Sequence, residues 1–313
     1  MSTGPLFSII IATRNRPGML VEALRSIQYQ EVSDWEVLLI DDASEERQAD
    51  LLPSSLSKDE RIRISRNDQH IGVASSRNRG LEQAKGKWVL FLDDDDAWQQ
   101  GLLQTVQAQT LKTGPNEALA LHCQMHPKSV KNSWRYHSLK TALRESSKIP
   151  ERNRANLHLL VRSPPQMPAL VCRRQSIGEI RFDEGRQYGE DVLFWAQVVE
   201  KGLTVKTIPA RQSSVLVRHH NRGHLSHHDA LISGYLDRFA ETFPTLDERV
   251  LAAIQVKKVT QSIARRAWKE AIIRIRNGMK KPGGFPGLFL YQTKLKLKTL
   301  GSFCLFRLLK IDW

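Results

Sequence analysis

Short apolar runs recur through the first hundred residues, each closed by polar or glycine-containing stretches, and their spacing separates strands from helices. Phe7-Ser8-Ile9-Ile10-Ile11 is brief and β-branched, as a buried strand should be. After Thr13-Arg14-Asn15-Arg16, Pro17 suits the first turn of a helix. Leu20, Ala23, Leu24 and Ile27 give that helix one apolar face, with Asn15 or Arg16 in the cap region. A second strand is expected over Trp35–Ile40, leading into Asp41-Asp42-Ala43-Ser44. Arg61-Ile62-Arg63-Ile64 alternates and predicts a more exposed strand, and Gly72 precedes a helix running to about Ala84, with Gly86 after it. The apolar run Trp88–Leu92 then enters four consecutive acids, Asp93–Asp96. This strand–helix rhythm predicts an α/β fold: a mostly parallel sheet with helices on both faces.

Later residues are harder to read. Residues 115–178 carry little period beyond a Pro164–Pro168 loop and a short strand at Ala169–Cys172. Val192, Trp195, Ala196 and Val199 form one apolar helical face, and Ser213–Val217 reads as a strand. Helical stretches are expected over Leu236–Phe243 and Arg249–Arg276, interrupted by the Lys280–Gly287 segment. A final stripe follows at Leu297, Leu300, Cys304, Leu308 and Ile311.

The acid quartet carries the chemistry. Adjacent carboxylates repel, so some stay protonated or a cation neutralises them. Alternate side chains of a strand share a face, so Asp93 and Asp95 can point to one side together, with Cα atoms roughly 6–7 Å apart. That spacing suits one Mg²⁺ or Mn²⁺ with bound phosphate oxygens. A solvated acidic turn is the alternative, but the quartet follows a buried strand, at the sheet edge where open α/β folds bind ligands. Thr13-Arg14-Asn15 and Asp41-Asp42 are expected at the same edge, and three converging polar clusters argue for a site.

Charge adds a second feature. The 313-residue chain has a net charge of +14, and residues 249–313 hold 15 Lys and Arg against two acids, Glu270 and Asp312. The body is therefore near neutral and the tail cationic, which points to an anionic partner. The three cysteines, Cys123, Cys172 and Cys304, form no CxxC pair, which gives no sign of a disulfide framework or zinc ribbon and fits a cytoplasmic setting. No basic leader with a long apolar stretch opens the chain, and no run of about 18 apolar residues would span a bilayer.

Phe7–Arg16 (FSIIIATRNR), Glu36–Ser44 (EVLLIDDAS), Gly72–Gly80 (GVASSRNRG), Phe91–Trp98 (FLDDDDAW) and Ile180–Trp195 (IRFDEGRQYGEDVLFW) together resemble family 2 glycosyltransferases of the GT-A fold, of the bacterial surface-polysaccharide type. The resemblance covers about residues 5–225. It implies a GT-A, Rossmann-like domain over residues 1–230, with a nucleotide-binding half (1–112) and an acceptor-side half (113–230), followed by a basic helical region over 231–313. It implies an inverting, metal-dependent transfer from a nucleotide sugar, UDP-linked, to a glycan or lipid-linked acceptor. Thr13, Arg14, Asn15, Asp42, Arg77, Asp93 and Asp94 would meet the nucleotide. Asp95 and Asp93 would hold Mn²⁺ or Mg²⁺. Asp191 would act as the base, and His219 or His220 would lie near the phosphates. Relatives often carry Tyr where Arg14 stands, so a guanidinium would stack on the base here.

Bland readings remain beside these. Asp42 could cap a helix, Arg77 could be a surface helix arginine, and Asp191 could be a helix N-terminal acid. The tail's apolar stripe, with Lys294, Lys296, Lys298, Arg307 and Lys310 interspersed, fits an anionic membrane surface at the inner face of the cell membrane. It would equally fit a helix docked on the catalytic domain. A nucleotidyltransferase should carry a basic Gly-rich loop early, which Ala12–Pro17 lacks. Nucleic acid is not expected as a partner, since no RNA- or DNA-binding module pattern is found.

Overall fold

A computed structural model describes residues 4–129, 166–185, 189–208 and 214–218. All of them fall within one of the chain's two compact units, residues 1–156 with 163–224. The predicted tail helices, His219 and His220 lie outside the described residues.

β1 (Phe7–Thr13) and β2 (Trp35–Asp41) are buried along almost their whole length. Both faces of the sheet are therefore covered, and this is why these runs show no apolar–polar alternation. β3 (Ile62–Arg66) pairs with β2 at one margin, and only its first residue is buried, as its alternating sequence predicted. Between β2 and β3 the chain makes two one-turn helices, α2 (Gln48–Leu51) and α3 (Ser54–Ser57). Pro53 separates them, having no N–H with which to continue a helix.

α1 (Pro17–Gln28) buries Leu20, Ala23, Leu24 and Ile27, the face read from the sequence. α4 (Val73–Gln83) packs on β1 and β2. Its approach depends on Gly80, where a Cβ would lie 2.5 Å from Cγ2 of Ile10. β4 (Trp88–Phe91) lies on the other side of β1 from β2.

The full order of the seven-stranded sheet is β3-β2-β1-β4-β8-β6-β9. β8 (Leu170–Arg173) runs antiparallel to both neighbours, β4 and β6 (Glu117–Ala120), while β9 (Thr204–Thr207) is parallel to β6. The sheet is thus mixed: six of its seven strands run one way, in keeping with the mostly parallel expectation, and β8 alone is reversed. A strand as short as Leu170–Arg173 carries no sequence signal for its direction.

A smaller sheet, ordered β5-β10-β7, is built from Ala97–Trp98, Val215–Val217 and Cys123–Met125. The remaining α-helices among the described residues are α5 (Leu102–Thr110), α6 (Arg174–Ile177) and α7 (Glu190–Glu200). α7 is buried nearly all round, including Leu193, Phe194 and Val198 beyond the predicted stripe. Phe194 stacks on Phe182, with ring centroids 4.1 Å apart, and both meet Phe91 edge-on. No helix among the described residues is long and apolar enough to cross a membrane.

Chain direction reverses its progress across the sheet at β1. The path goes outward through β2 and β3, then returns to β4 on β1's other side. Crevices at such switch points bind ligands in open α/β sheets.

Candidate active site

The register brings the strand ends together. Thr13 pairs with Asp41, the Asp42 N–H donates to the Thr13 carbonyl at 2.9 Å, and the Leu92 N–H donates to the Ile10 carbonyl. The three polar clusters expected at one edge are therefore neighbours.

The Asp41-Asp42 pair divides its work. Asp41 accepts from the Ser44 N–H at 3.0 Å, from the Gln48 N–H at 3.3 Å and from Arg66 Nη1 at 2.9 Å, which fixes the turn into α2. Asp42 is buried and holds the approach to α4: its Oδ1 accepts from Asn67 Nδ2 and the Ile71 N–H, both at 2.9 Å. Its Oδ2 accepts from the Gly72 N–H at 2.9 Å and lies 2.6 Å from His70 Nδ1. Burial disfavours this charge, yet the donors from Ile71, Asn67, His70 and Gly72 outweigh it and keep the carboxyl below its usual range. Gly72 stands at φ +90°, a backbone shape that glycine supplies.

The acid quartet is a turn, not an extended strand. β4 ends at Phe91, and the Asp96 N–H donates to the Asp93 carbonyl at 3.0 Å. Strand alternation is therefore not what gathers the carboxylates. The turn sends Asp93, Asp95 and Asp96 together, with candidate ligand oxygens within 4.8 Å of one another. Asp94 points elsewhere: its Oδ2 accepts from Thr13 Oγ1 at 2.8 Å and its Oδ1 from Arg16 Nη1 at 2.9 Å. Burial first, then the Asp95 charge, pushes Asp94 up to about 6 against the pull of Arg16. Burial, then Asp95 and Asp93, holds Asp96 well above the carboxylate range, although its Oδ1 accepts from the Arg218 N–H at 2.8 Å. Three hard oxygens crowded at this cost suit a divalent cation of the Mg²⁺ or Mn²⁺ kind.

Two guanidinium groups flank the turn. Arg16 Nη1 bridges Asp94 Oδ1 and Asp95 Oδ2, both at 2.9 Å. Arg77 is buried, with Nη2 2.6 Å from Asp93 Oδ1 and Nη1 3.0 Å from Glu190 Oε1. It is thus no surface arginine, and it ties the acidic turn to the start of α7. There Gly189, at φ +80°, leads into Glu190 and Asp191. Asp191 Oδ1 accepts from its neighbour Val192's N–H at 2.7 Å. Burial, then the Glu190 charge, pushes Asp191 up to about 7, opposed by Arg77 and that N–H. A carboxyl poised there can exchange a proton near neutrality.

Arg14 and Asn15 are exposed. Asn15, at φ +56°, receives the Glu45 N–H on Oδ1 at 2.8 Å and gives its own N–H to Ser44 Oγ at 2.9 Å, so it locks the β1 and β2 loops together. Asn78 holds the Ile180–Trp195 segment to α4: it donates to the Phe182 carbonyl at 3.0 Å and to Glu184 at 2.8 Å, and accepts from the Phe182 N–H at 2.8 Å.

Sequence reasoning did not single out Asp96 or Asn78 as functional, and it placed Arg16 only near a helix cap. Asp96 had a signal in its position in the quartet, whereas the partners of Arg16 and Arg218 are distant in sequence. The Arg218 guanidinium reaches Glu22 on α1 and lies 3.2 Å from His126 Nε2. Lys128 also pairs with Glu22, and these two cations drive that carboxyl down to about 2, the Lys128 hydrogen bond first.

Among solved structures, residues 1–349 of TarS from S. aureus, in complex with UDP-GlcNAc, superpose with a TM-score of 0.66 at 17% identity. The match covers 94% of this chain and 85% of that one. The mannosyltransferase PcManGT from Pyrobaculum calidifontis, in complex with GDP-Man and Mn²⁺, gives 0.63 at 14% identity, over 96% and 84% of the chains. At these identities the likeness is one of fold, a GT-A-like α/β fold. In sequence, the GalNAc(5)-diNAcBac-PP-undecaprenol beta-1,3-glucosyltransferase of Campylobacter jejuni is 37% identical over 103 residues. That match covers 33% of this chain and 33% of the relative's length. Residues 8–176 match the family described as Glycosyl transferase family 2, more than half of the chain. The segment holds the sheet edge, both guanidinium groups and the whole acidic turn, and the chain belongs to that family.

Proposed function

We propose that this protein is an inverting, metal-dependent glycosyltransferase. It moves a sugar from a nucleotide donor, UDP-linked, to a hydroxyl of a glycan or lipid-linked acceptor in surface-polysaccharide synthesis. The observation that supports it most is the Arg77 bridge: one buried guanidinium joins Asp93 of the acidic turn to Glu190, beside Asp191. A donor-side charge cluster and a carboxyl near neutral pKa thus share one edge.

In this reading Asp191 removes the acceptor hydroxyl's proton as its oxygen attacks C1 of the sugar. The bond from C1 to the diphosphate oxygen breaks on the opposite face, so the anomeric centre inverts in a single displacement. Mn²⁺ or Mg²⁺, held by Asp95 and Asp93 with Asp96 beside them, would supply Lewis-acid stabilisation of the departing nucleoside diphosphate. Thr13, Arg14, Asn15 and Asp42 face the nucleoside, and Asp94 orders that side through Thr13. Asp42 already accepts two main-chain and one side-chain N–H, with His70 beside it. An imide N–H from the base would therefore displace one of these partners, and His70, about half exposed, is the one able to turn away.

His219 and His220 directly follow Arg218, whose N–H is anchored on Asp96, which supports a place for them near the phosphates. Residues 1–230 serve as the catalytic domain. The basic 231–313 region binds an anionic membrane surface on the cytoplasmic side, where a lipid-linked acceptor would be met.

Thermal unfolding with UDP, GDP, CDP and dTDP, each with and without Mn²⁺, tests the reading. Ligand at 100 times its Kd adds about 2.7 kcal/mol. One nucleotide should shift the transition in a metal-dependent way, and Asp95→Ala should remove that shift. A folded protein unmoved by all four would end the nucleotide-sugar reading.

A further inference from the structure

We propose that Arg16 is a donor-binding residue that doubles as a resident counter-ion: it occupies the acidic turn until a divalent cation arrives, then serves the diphosphate. This rests on the nucleotide-sugar reading above. A single nitrogen, Nη1, makes both bonds, to Asp94 Oδ1 and Asp95 Oδ2 at 2.9 Å each. Asp95 is also one of the three carboxylates grouped for a cation. Arg16 and that cation therefore compete for the same carboxylate, and both cannot neutralise it fully.

The two flanking arginines differ in exposure. Arg77 has 7% of its side chain exposed and is fixed at both ends, by Asp93 and Glu190. Arg16 has 33% exposed and projects from the loop between β1 and α1. Its backbone occupies the cap position of α1, a helix with no side-chain cap and no acid in its first turn. An anion drawn to that uncapped, positive helix end would meet the Arg16 guanidinium there. A guanidinium stays cationic whichever partner it holds. The planar fork of arginine matches phosphate oxygens as readily as carboxylates. When the cation takes Asp95, Arg16 keeps Asp94 and shifts its guanidinium toward the diphosphate.

Two affinities should therefore move in opposite directions when Arg16 is replaced. Titration calorimetry on the full chain would measure Mn²⁺ alone, then UDP at saturating Mn²⁺, for wild type and Arg16→Gln. The variant should bind free Mn²⁺ several-fold more tightly, because its competitor is gone, and should bind the nucleotide about tenfold more weakly, the effect of one charge-assisted phosphate contact. Arg16→Lys should recover part of the nucleotide affinity. If Mn²⁺ and nucleotide affinity fall together in Arg16→Gln while the circular dichroism and melting of the protein are unchanged, Arg16 is a brace for the turn and the proposal fails. Unchanged Mn²⁺ affinity beside unchanged nucleotide binding overturns it as well. Absence of nucleotide binding in wild type, tested also with GDP, CDP and dTDP, would instead overturn the donor reading itself.

Discussion

Two sets of aspartates stand at the same sheet edge, at the ends of the two strands that flank β1, and their surroundings differ in kind. Asp41 and Asp42 are buried among donors: main-chain N–H groups, Asn67, His70 and Arg66 surround them, and Asp42 is held below its ordinary pKa. The Asp93–Asp96 turn packs four carboxyls together against fewer donors, with Asp94 up to about 6 and Asp96 well above the carboxylate range. The first set is complete within the protein and secures loops. The second is unfavourable as it stands and gains from a cation. Residue type and the edge itself are shared, so what differs is the balance of donors against like charges, and only the second set is left with charge for a cation to neutralise.

The largest effects are expected at the reaction. Asp95→Asn and Asp191→Asn should each lower sugar transfer about 1,000-fold in a radiolabelled-donor assay, with melting temperatures within a few degrees of wild type. Full activity in either would remove that residue from the chemistry.

Stability should then separate the two sets. Asp42→Ala strands its buried donors and should cost about 3 kcal/mol in denaturant titration. Asp96→Asn keeps an acceptor for the Arg218 N–H while deleting a repelled charge, so its stability in metal-free buffer should equal or exceed wild type. A reversed ranking would mean that the turn, not the Asp42 nook, is the structural element.

A smaller effect lies in the pH–rate profile. With Asp191 near 7, kcat/KM should climb about tenfold per pH unit below neutrality and level off above it. A profile flat from pH 5 to 8 would exclude a base of this pKa.

The smallest effect sharpens the contrast by its sign. Asp94 and Asp96 bind protons more tightly in the folded chain than in the unfolded one, so their ionisation destabilises the fold as pH rises from about 4 past 6. Asp42 has the opposite shift, and its stabilisation is lost only as pH falls below the ordinary aspartate range. In chelator, the melting temperature should rise by a few degrees from pH 7 to pH 5, and Mn²⁺ should abolish that rise. A steady fall over the same interval would show that the turn is already neutralised.

Much of the nucleotide half was legible in the chain because its signals are local. β1, β2 and β4 came from apolar runs, the helix faces from three- and four-residue spacing, and the carboxylates from their sheer concentration. What failed locally was geometry: alternation predicted a shared face for Asp93 and Asp95, whereas a turn gathers them and adds Asp96. What was illegible depends on the far side of the fold. Arg16 meets acids 78 and 79 residues away, and Arg77 meets Glu190 across 113. No spacing rule reaches such distances. The reversed β8 was hidden for the same reason, since direction is set by its neighbours.

The Glu22–Arg218 pair spans 196 residues, and the N–H of the same arginine caps Asp96. At about 5–20 residues per second, a ribosome delivers Arg218 roughly 10–40 seconds after Glu22. Asp96 and Arg218 are 122 residues apart, so for roughly 6–24 seconds of that time the nascent sheet edge carries its four acids without the Arg218 N–H. The molecule therefore finishes its acidic turn late in synthesis, and a chain truncated before residue 218 would hold the fold's first strands yet lack a settled turn.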